Sequence, residues 1–308
     1  MNKSIRAFYC GIVVLGGILP RTSARADIIY AADNGDNIIE KFTSSGASNL
    51  FTASGSSFRI GLAFDSAGNL YTASQDDSTI ERITPAGTLT IFATTGVSLP
   101  QSLAFDSSGN LYVANAGNDT IEKFTPNGIG TVFATTPLND PSGMAFDSAG
   151  NLYVGLVGRA GGSTIEKFTT NGVGTFFAST DVPTGLAFDK AGNLYVANYG
   201  LNTISKFTPG GIGSTLPIGN LQGPFGLAFD SAGNLYFSNT NFGEIDKYTP
   251  NGTLSVFART GTINGVPVGL AITDDAGNPL PLPIPEPTAL ALVASGAAIL
   301  HLYSRKRE

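Results

Sequence analysis

The chain is poor in the side chains that most often carry nucleophilic or metal chemistry. Of its 308 residues one is a cysteine, one is a histidine and none is a tryptophan. One cysteine cannot form a disulfide within the chain. Cys10 and His301 both lie in terminal segments that we expect to be removed from the mature protein. The remainder therefore lacks serine–histidine and cysteine–histidine nucleophile pairs, which leaves carboxylates as the groups available for catalysis.

Charged side chains are also scarce, at 13% of the sequence. The whole chain has 17 basic and 23 acidic residues. Without the two terminal segments, about 10 basic and 22 acidic residues remain, a net charge of about −12. Such an acidic chain is unsuited to nucleic acid or to an anionic membrane surface, so we expect neither as a partner.

The segment GLAFDSAGNLY returns along the chain almost unchanged. Successive copies are separated by 41, 41, 42, 41 and 43 residues, and they start at Gly61, Ser102, Gly143, Gly185, Gly226 and, in degraded form, Gly269. A period of this length indicates one small supersecondary unit that buries its apolar faces against its neighbours.

Each repeat predicts four short strands. In the copy at residues 102–142, apolar alternation and turn residues place strands at residues 103–105, 111–114, 120–125 and 131–134. Asp106 suits the start of the first turn, while Gly109 and Asn110 tolerate the positive φ that hairpins need. Four hairpin-linked strands without a helix are typical of a β-propeller blade.

The two ends of the array complement each other. Ile29 and Tyr30 align with Leu70 and Tyr71, so the first copy lacks its GLAFD strand, and the last copy, residues 269–278, has little besides that strand. Joining the two half-blades completes a sixth blade and hides the edge strands. We therefore predict an all-β fold: one six-bladed β-propeller over residues 27–278, with an open β-solenoid as the alternative.

Residues 1–26 have the features of a secretory signal peptide. Lys3 and Arg6 precede an apolar stretch at residues 7–19, and Ala24-Arg25-Ala26 matches a signal peptidase site. We predict cleavage after Ala26 and export across the inner membrane.

The C-terminus has three parts. Prolines alternate through a stiff linker at residues 279–284, an apolar run covers residues 288–303, and Arg305-Lys306-Arg307 forms a basic end. Sixteen helical residues rise about 24 Å, less than the hydrocarbon core of a bilayer. With Pro285-Glu286-Pro287 ahead of the apolar run, residues 285–308 resemble a PEP-CTERM sorting signal.

That resemblance implies transient insertion in the inner membrane through a short transmembrane helix and processing by an exosortase. It also implies delivery to the cell surface or extracellular matrix of a bacterium that makes exopolysaccharide. The alternative is a single-pass anchor that is never cut.

The FDSAGNLYVAN core, followed by a strand such as TIEKFTP, resembles NHL-type propellers and, more distantly, the gluconolactonase and streptogramin-lyase groups. In the lactonase group a divalent metal is held partly by residues just before the glycine of each inner strand. Here those positions hold Ile60, Gln101, Ser142, Thr184, Phe225 and Val268. Without carboxylates there we expect no metal and no cofactor, and the absent histidine argues against lyase chemistry.

Residues that recur in every copy favour a structural interpretation. A basic residue on each third strand is expected to pack its alkyl stem along a neighbouring blade: Lys41, Arg82, Lys123, Lys167, Lys206 and Lys247. The aspartates that follow the inner strands are interpreted as turn residues: Asp65, Asp106, Asp147, Asp189 and Asp230.

Positions that differ between copies are better candidates for binding. Loops between second and third strands share one face of the ring with the connectors that enter the inner strands. On this face Asp33, Asp36, Asp76, Asp77 and Asp119 make one side acidic, and Arg159, Tyr199, Phe225 and Phe242 add cationic and aromatic groups elsewhere. Exposed aromatics stack on sugars or contact peptides.

We predict a binding site formed by Gln101, Ser142, Arg159, Thr184, Tyr199, Phe225 and Phe242. The expected function is that of a non-catalytic binding module at the bacterial surface, with exopolysaccharide or another surface protein as partner. The alternative is a hydrolase or lyase with an atypical carboxylate-based site.

Overall fold

A computed structural model describes residues 27–53, 58–136, 139–159, 162–260 and 265–280. These residues form 24 strands in six antiparallel four-stranded sheets, with one 3₁₀ turn at Thr240–Phe242. The first twelve strands are β1 (Ile28–Asp33), β2 (Ile38–Phe42), β3 (Ser48–Ala53), β4 (Arg59–Phe64), β5 (Leu70–Ser74), β6 (Thr79–Ile83), β7 (Leu89–Ala93), β8 (Pro100–Phe105), β9 (Leu111–Asn115), β10 (Thr120–Phe124), β11 (Gly130–Thr135) and β12 (Asn139–Phe146). The others are β13 (Leu152–Gly158), β14 (Ser163–Phe168), β15 (Gly174–Thr180), β16 (Pro183–Phe188), β17 (Leu194–Asn198), β18 (Thr203–Phe207), β19 (Gly213–Thr215), β20 (Pro224–Phe229), β21 (Leu235–Asn239), β22 (Glu244–Tyr248), β23 (Leu254–Arg259) and β24 (Pro267–Thr273).

The sheets are the blades of a closed ring. Blades 1 to 5 are β4–β7, β8–β11, β12–β15, β16–β19 and β20–β23, and blade 6 has the order β24-β1-β2-β3. The innermost strands contact one another around the ring, and β24 contacts both β20 and β4. The six-bladed propeller is therefore confirmed, and the open solenoid is excluded.

Blade 6 joins the two ends of the repeat array as predicted. Strand β24 pairs antiparallel with β1, with Ile29 opposite Ile272 and Tyr30 opposite Ala271. In blade 2 the four predicted strands also occur, although β8 starts at Pro100 and β10 ends at Phe124. The apolar period and the turn residues were sufficient to place these strands within a few residues.

In each repeat, the turn after the inner strand is stabilised by the side chain of its aspartate. In blade 2, Asp106 Oδ1 accepts hydrogen bonds from the backbone N–H of Ser108 at 2.9 Å and of Asn110 at 2.8 Å. The Asn110 amide donates to Asp106 Oδ2 at 2.8 Å, and Gly109 has φ 80°. The same pattern recurs at Asp65, Asp147, Asp189 and Asp230, and also at Asp274. The structural interpretation of the aspartates is confirmed.

Aromatic rings connect successive blades. Tyr71 of β5 makes edge-on contacts with Phe92 of its own blade and with Phe105 of blade 2, both with ring centroids 5.0 Å apart. Such pairs stabilise packing beyond the area that they bury. Similar contacts between a tyrosine and a phenylalanine of the next blade recur around the propeller. Aromatic contacts therefore stabilise the packing between blades in addition to aliphatic contacts.

The recurring lysines pack against the same tyrosines. Lys123 Nζ lies 5.1 Å from the centroid of the Tyr112 ring and 3.7 Å from Asp106 Oδ2. Tyr112 is the partner of Lys123 on the adjacent strand, so the lysine packs within its own blade and not along a neighbouring one. These residues stabilise each blade, as their repetition predicts.

Residues 1–26 and 281–308 lie outside the described residues, so the signal peptide, the sorting motif Pro285-Glu286-Pro287 and the transmembrane helix stay predictions. Within the described part of the chain, no helix is long and apolar enough to cross a membrane. Of the predicted linker, Pro279 pairs with Thr273, and Leu280 packs against a buried cluster that contains Ile29 and Ile272.

Candidate functional site

The candidate site lies on the upper face of the ring, which we define as the end where the inner strands begin. The register of inner strands shifts there, between Pro141 and Met144 in blade 3 and between Pro183 and Gly185 in blade 4. These β-bulges release Ser142 and Thr184 from the regular ladder, and bulges are common beside binding sites because they redirect side chains.

The two hydroxyl groups tie blades together. Ser142 Oγ donates to the carbonyl of Pro183 in blade 4 and lies 3.0 Å from the Gly155 carbonyl. Thr184 Oγ1 lies 3.1 Å from the Pro224 carbonyl of blade 5. Their donor protons are therefore committed to structure, and only their oxygen lone pairs remain for a ligand.

A cavity of about 200 Å³ opens on this face. We call it the upper pocket; its lining is Gln101, Ala116, Asp140, Pro141, Ser142, Val157, Val182, Thr184 and Phe225. Four predicted site residues thus come together from blades 2 to 5. Phe225 forms an aromatic wall and Asp140 is the charged residue of the lining.

Arg159 holds Asp140 in place without lining the pocket. Its Nε lies 2.7 Å from Asp140 Oδ1, and its Nη2 lies 2.9 Å from Asp119 Oδ1 and 3.3 Å from the Ala116 carbonyl. The hydrogen bond to Asp140 raises the pKa of Arg159. With two carboxylates around one guanidinium, this rim keeps a net negative charge.

Of the three predicted aromatic residues, Tyr199 and Phe225 contact each other, and Phe242 contacts neither of their rings. Tyr199 meets Phe225 edge-on with ring centroids 6.3 Å apart, and Tyr199 is 38% exposed. Phe242 lies on the 3₁₀ turn, is 48% exposed and makes no ring contact within the described chain. Tyr199 therefore contacts a wall of the upper pocket through Phe225, and neither Tyr199 nor Phe242 is a lining residue.

Asp140 is the site residue that the sequence analysis missed. It stands two residues before Ser142, where the other copies have Phe58, Leu99, Val182, Gly223 and Val266. A comparison of copies at this position would have identified it, because it is the charged member of an otherwise uncharged set. Val157 and Val182 gave no such signal.

The donors at the channel mouth do not fit a hard cation. Ser142 and Thr184 are engaged with backbone carbonyls, Gln101 offers an amide, and the other three positions are apolar. Such a cation prefers several oxygen ligands, most of them charged. Among the described residues, no group of three histidine, cysteine, aspartate or glutamate side chains could hold a metal.

The acidic loops are partly structural. Asp33 is buried, and its Oδ1 accepts hydrogen bonds from the backbone N–H of Gly35 at 2.9 Å and of Val266 at 2.8 Å. Asp77 Oδ2 lies 3.2 Å from Ser74 Oγ. The contact with Val266 connects two loops of the upper face, whereas the contacts with Gly35 and Ser74 lie within single loops.

No protein-family model and no curated protein sequence matches the chain. Solved structures do resemble it. A chain of the nidogen/laminin complex is 22% identical with a TM-score of 0.72, covering 80% of this chain and 98% of its own.

Two bacterial enzymes have the same architecture. A gluconolactonase from Xanthomonas campestris is 18% identical with a TM-score of 0.61, covering 70% of this chain and 83% of its own. The other is virginiamycin B lyase from Staphylococcus aureus, solved as a catalytically inactive histidine-to-alanine variant with quinupristin. It is 19% identical with a TM-score of 0.57, and the match covers 68% of this chain and 73% of the lyase chain. These likenesses show a shared fold, so the class of protein is the six-bladed β-propeller.

Proposed function

We propose that the protein is an exported, non-catalytic binding module that engages a surface polysaccharide or surface protein through the upper pocket. The observation that carries this proposal is the combination of Phe225 and Tyr199 with the Asp140 carboxylate, which Arg159 fixes in place. Aromatic rings offer stacking, and the carboxylate accepts hydrogen bonds from hydroxyl or ammonium groups.

The size of the pocket favours recognition of one unit of a larger partner. About 200 Å³ is smaller than the 300–1,000 Å³ typical of sites that enclose a whole small molecule. One sugar ring of a polysaccharide, or one side chain of a protein, suits this volume. The similarity to a chain of the nidogen/laminin complex supports a binding role, since that fold there belongs to a protein assembly.

The composition of the upper pocket supports a non-catalytic role. General acid–base chemistry needs groups of complementary protonation, whereas Asp140 is the carboxylate of this lining and is already ion-paired with Arg159. In the lyase of similar fold, replacing a histidine gives a catalytically inactive protein. The one histidine here, His301, belongs to the predicted sorting tail.

Binding should depend on the pocket and not on exposed aromatics in general. We expect Tyr199→Ala and Asp140→Asn each to weaken retention on immobilised exopolysaccharide or cell-surface protein about tenfold, since loss of a stacking ring or an acceptor costs about 1–2 kcal/mol. Phe242→Ala, also exposed but apart from the pocket, and Phe176→Ala, on the outer strand β15, should bind like the wild type.

Equal binding by all four variants would reject the upper pocket as the site. The rival function has its own readout. Lactone hydrolysis or lyase turnover by the purified protein, lost on Asp140→Asn or on addition of EDTA, would overturn the non-catalytic proposal.

A further inference from the structure

A second, larger cavity lies on the lower face, at the opposite end of the channel. Its volume is about 700 Å³, and we call it the lower cavity. Phe64, Phe105 and Phe146 line it from the ends of the inner strands of blades 1 to 3, together with serines of the adjacent turns. The turns also contribute Asp106, Gly109, Asp147 and Gly150, and Asn278, Pro279 and Leu280 line the side next to blade 6. This volume is in the range of sites that enclose a ligand.

The last described residues of the chain, which follow β24, lie beside this cavity. Thr273 of β24 pairs with Ile28 of β1 on one edge and with Pro279 on the other. Because β24 is the innermost strand of blade 6, its second edge faces the channel. The chain therefore leaves the ring along the channel side, and Leu280 already forms part of the wall of the lower cavity.

The residues that follow have a composition suited to an aromatic cavity. Residues 281–285 read Pro-Leu-Pro-Ile-Pro and continue the proline alternation that begins at Pro279. Such a segment favours the polyproline II conformation, in which five residues span about 15 Å. Polyproline II segments bind aromatic-lined grooves because they are already extended and lose little entropy on docking.

We propose that residues 281–285 occupy the lower cavity and pack on Phe64, Phe105 and Phe146. Attachment through Leu280 makes the association intramolecular, which gives an effective concentration on the order of millimolar. The propeller thus has two binding surfaces with different occupants: the upper pocket for an external partner and the lower cavity for its own proline-rich segment.

Cross-linking tests the contact in the full chain with Cys10→Ser as background. We expect Ser107→Cys with Leu282→Cys to form an intramolecular disulfide at least tenfold faster than Asn127→Cys with Leu282→Cys. Ser107 lines the lower cavity, whereas Asn127 is exposed on another turn of the same blade. Equal rates for the two pairs would reject the proposal, and disulfide-linked dimers would show that a second copy fills the cavity instead.

Labelling provides an independent measurement without a disulfide. In the full chain carrying Ser107→Cys, Leu282→Asp with Ile284→Asp should release the segment and raise the maleimide reaction rate severalfold. The same two substitutions should leave labelling of Asn127→Cys unchanged. An unchanged rate at Ser107→Cys would also reject the proposal, whatever the outcome of the binding experiments on the upper pocket.

Discussion

At the scale of single residues, one position in the repeat has two different electrostatic environments. Glu81 in β6 and Glu122 in β10 occupy equivalent places, and both are buried. Blade 1 alone has an arginine, Arg59, where the other copies have Pro100, Pro141, Pro183, Pro224 and Pro267. Arg59 is 1% exposed, and its Nε lies 2.8 Å from Glu81 Oε2. At Glu122, by contrast, burial raises the pKa of the carboxyl.

Removing the charge at Glu81 and at Glu122 should therefore change the free energy of unfolding in opposite directions. Glu81→Gln leaves the Arg59 charge buried without its counterion and should lower the free energy of unfolding, by up to about 3–5 kcal/mol. Glu122→Gln removes a carboxylate whose ionisation burial disfavours and should raise the free energy of unfolding at pH 7. Urea denaturation of both variants measures the two effects.

The effect at Glu122 should depend on pH. A raised pKa in the folded state means that this residue's contribution to stability falls as pH rises from the ordinary glutamate pKa through the folded value. The gain from Glu122→Gln should thus be present at pH 7 and shrink as the pH falls below the ordinary glutamate pKa, where the wild-type carboxyl becomes protonated in both states. A gain of equal size at about pH 3 and at pH 7 would contradict this explanation.

At the scale of the strand, close approach between inner strands decides which residues the repeat accepts. A Cβ added at Gly185 of β16 would lie 2.1 Å from the carbonyl oxygen of Phe225, and one added at Gly226 would lie 2.2 Å from that of Val268. The obstacles are backbone atoms of the next blade, which cannot rotate away as a flexible side chain can. The inner-strand glycines therefore set the distance between blades.

A methyl group at this position should destabilise the ring. We expect Gly185→Ala to lower the free energy of unfolding by about 1–3 kcal/mol or more, because the inner strands of blades 4 and 5 must move apart. Gly219→Ala is the matched control, since its added methyl meets no atom within 4 Å. Equal stability of the two variants in thermal denaturation would show that the inner strands adjust without cost.

At the scale of the whole molecule, blade 6 is the one blade assembled from distant parts of the chain. Pairing of β24 with β1 brings residue 28 next to residue 273, so the first and last strands of the ring meet at the lower face. Asp27, the first residue after the predicted cleavage site, contacts blade 5 because its Oδ2 accepts a hydrogen bond from the Ser231 N–H at 2.8 Å. The predicted mature N-terminus therefore belongs to the folded ring.

Processing at both ends makes a prediction about the exported protein. Mass spectrometry of material recovered from the cell surface should find Asp27 as the first residue and residues 288–308 missing. Release of the apolar tail is expected because its 16 residues are too short for a comfortable bilayer span. Recovery of a chain that ends with Glu308 would reject processing and favour a retained anchor.

The sequence predicted the ring and its turns because both depend on local patterns that every copy repeats. Apolar alternation defines the strands, the Asp–Gly–Asn turns fix the hairpins, and the complementary half-blades require closure. Gln101, Ser142, Thr184 and Phe225 were also placed correctly on one face, because each occupies the same position of its repeat, one residue before the segment that corresponds to GLAFD.

The tertiary structure decided what these residues contact, since that depends on the approach of neighbouring blades. The carbonyls of blades 4 and 5 engage the hydroxyls of Ser142 and Thr184, and Arg159 holds Asp140 at the upper pocket. The placement of Pro279 and Leu280 was decided in the same way. Strand β1 already occupies the outer edge of β24, so Pro279 pairs on the channel edge, and both residues line the lower cavity.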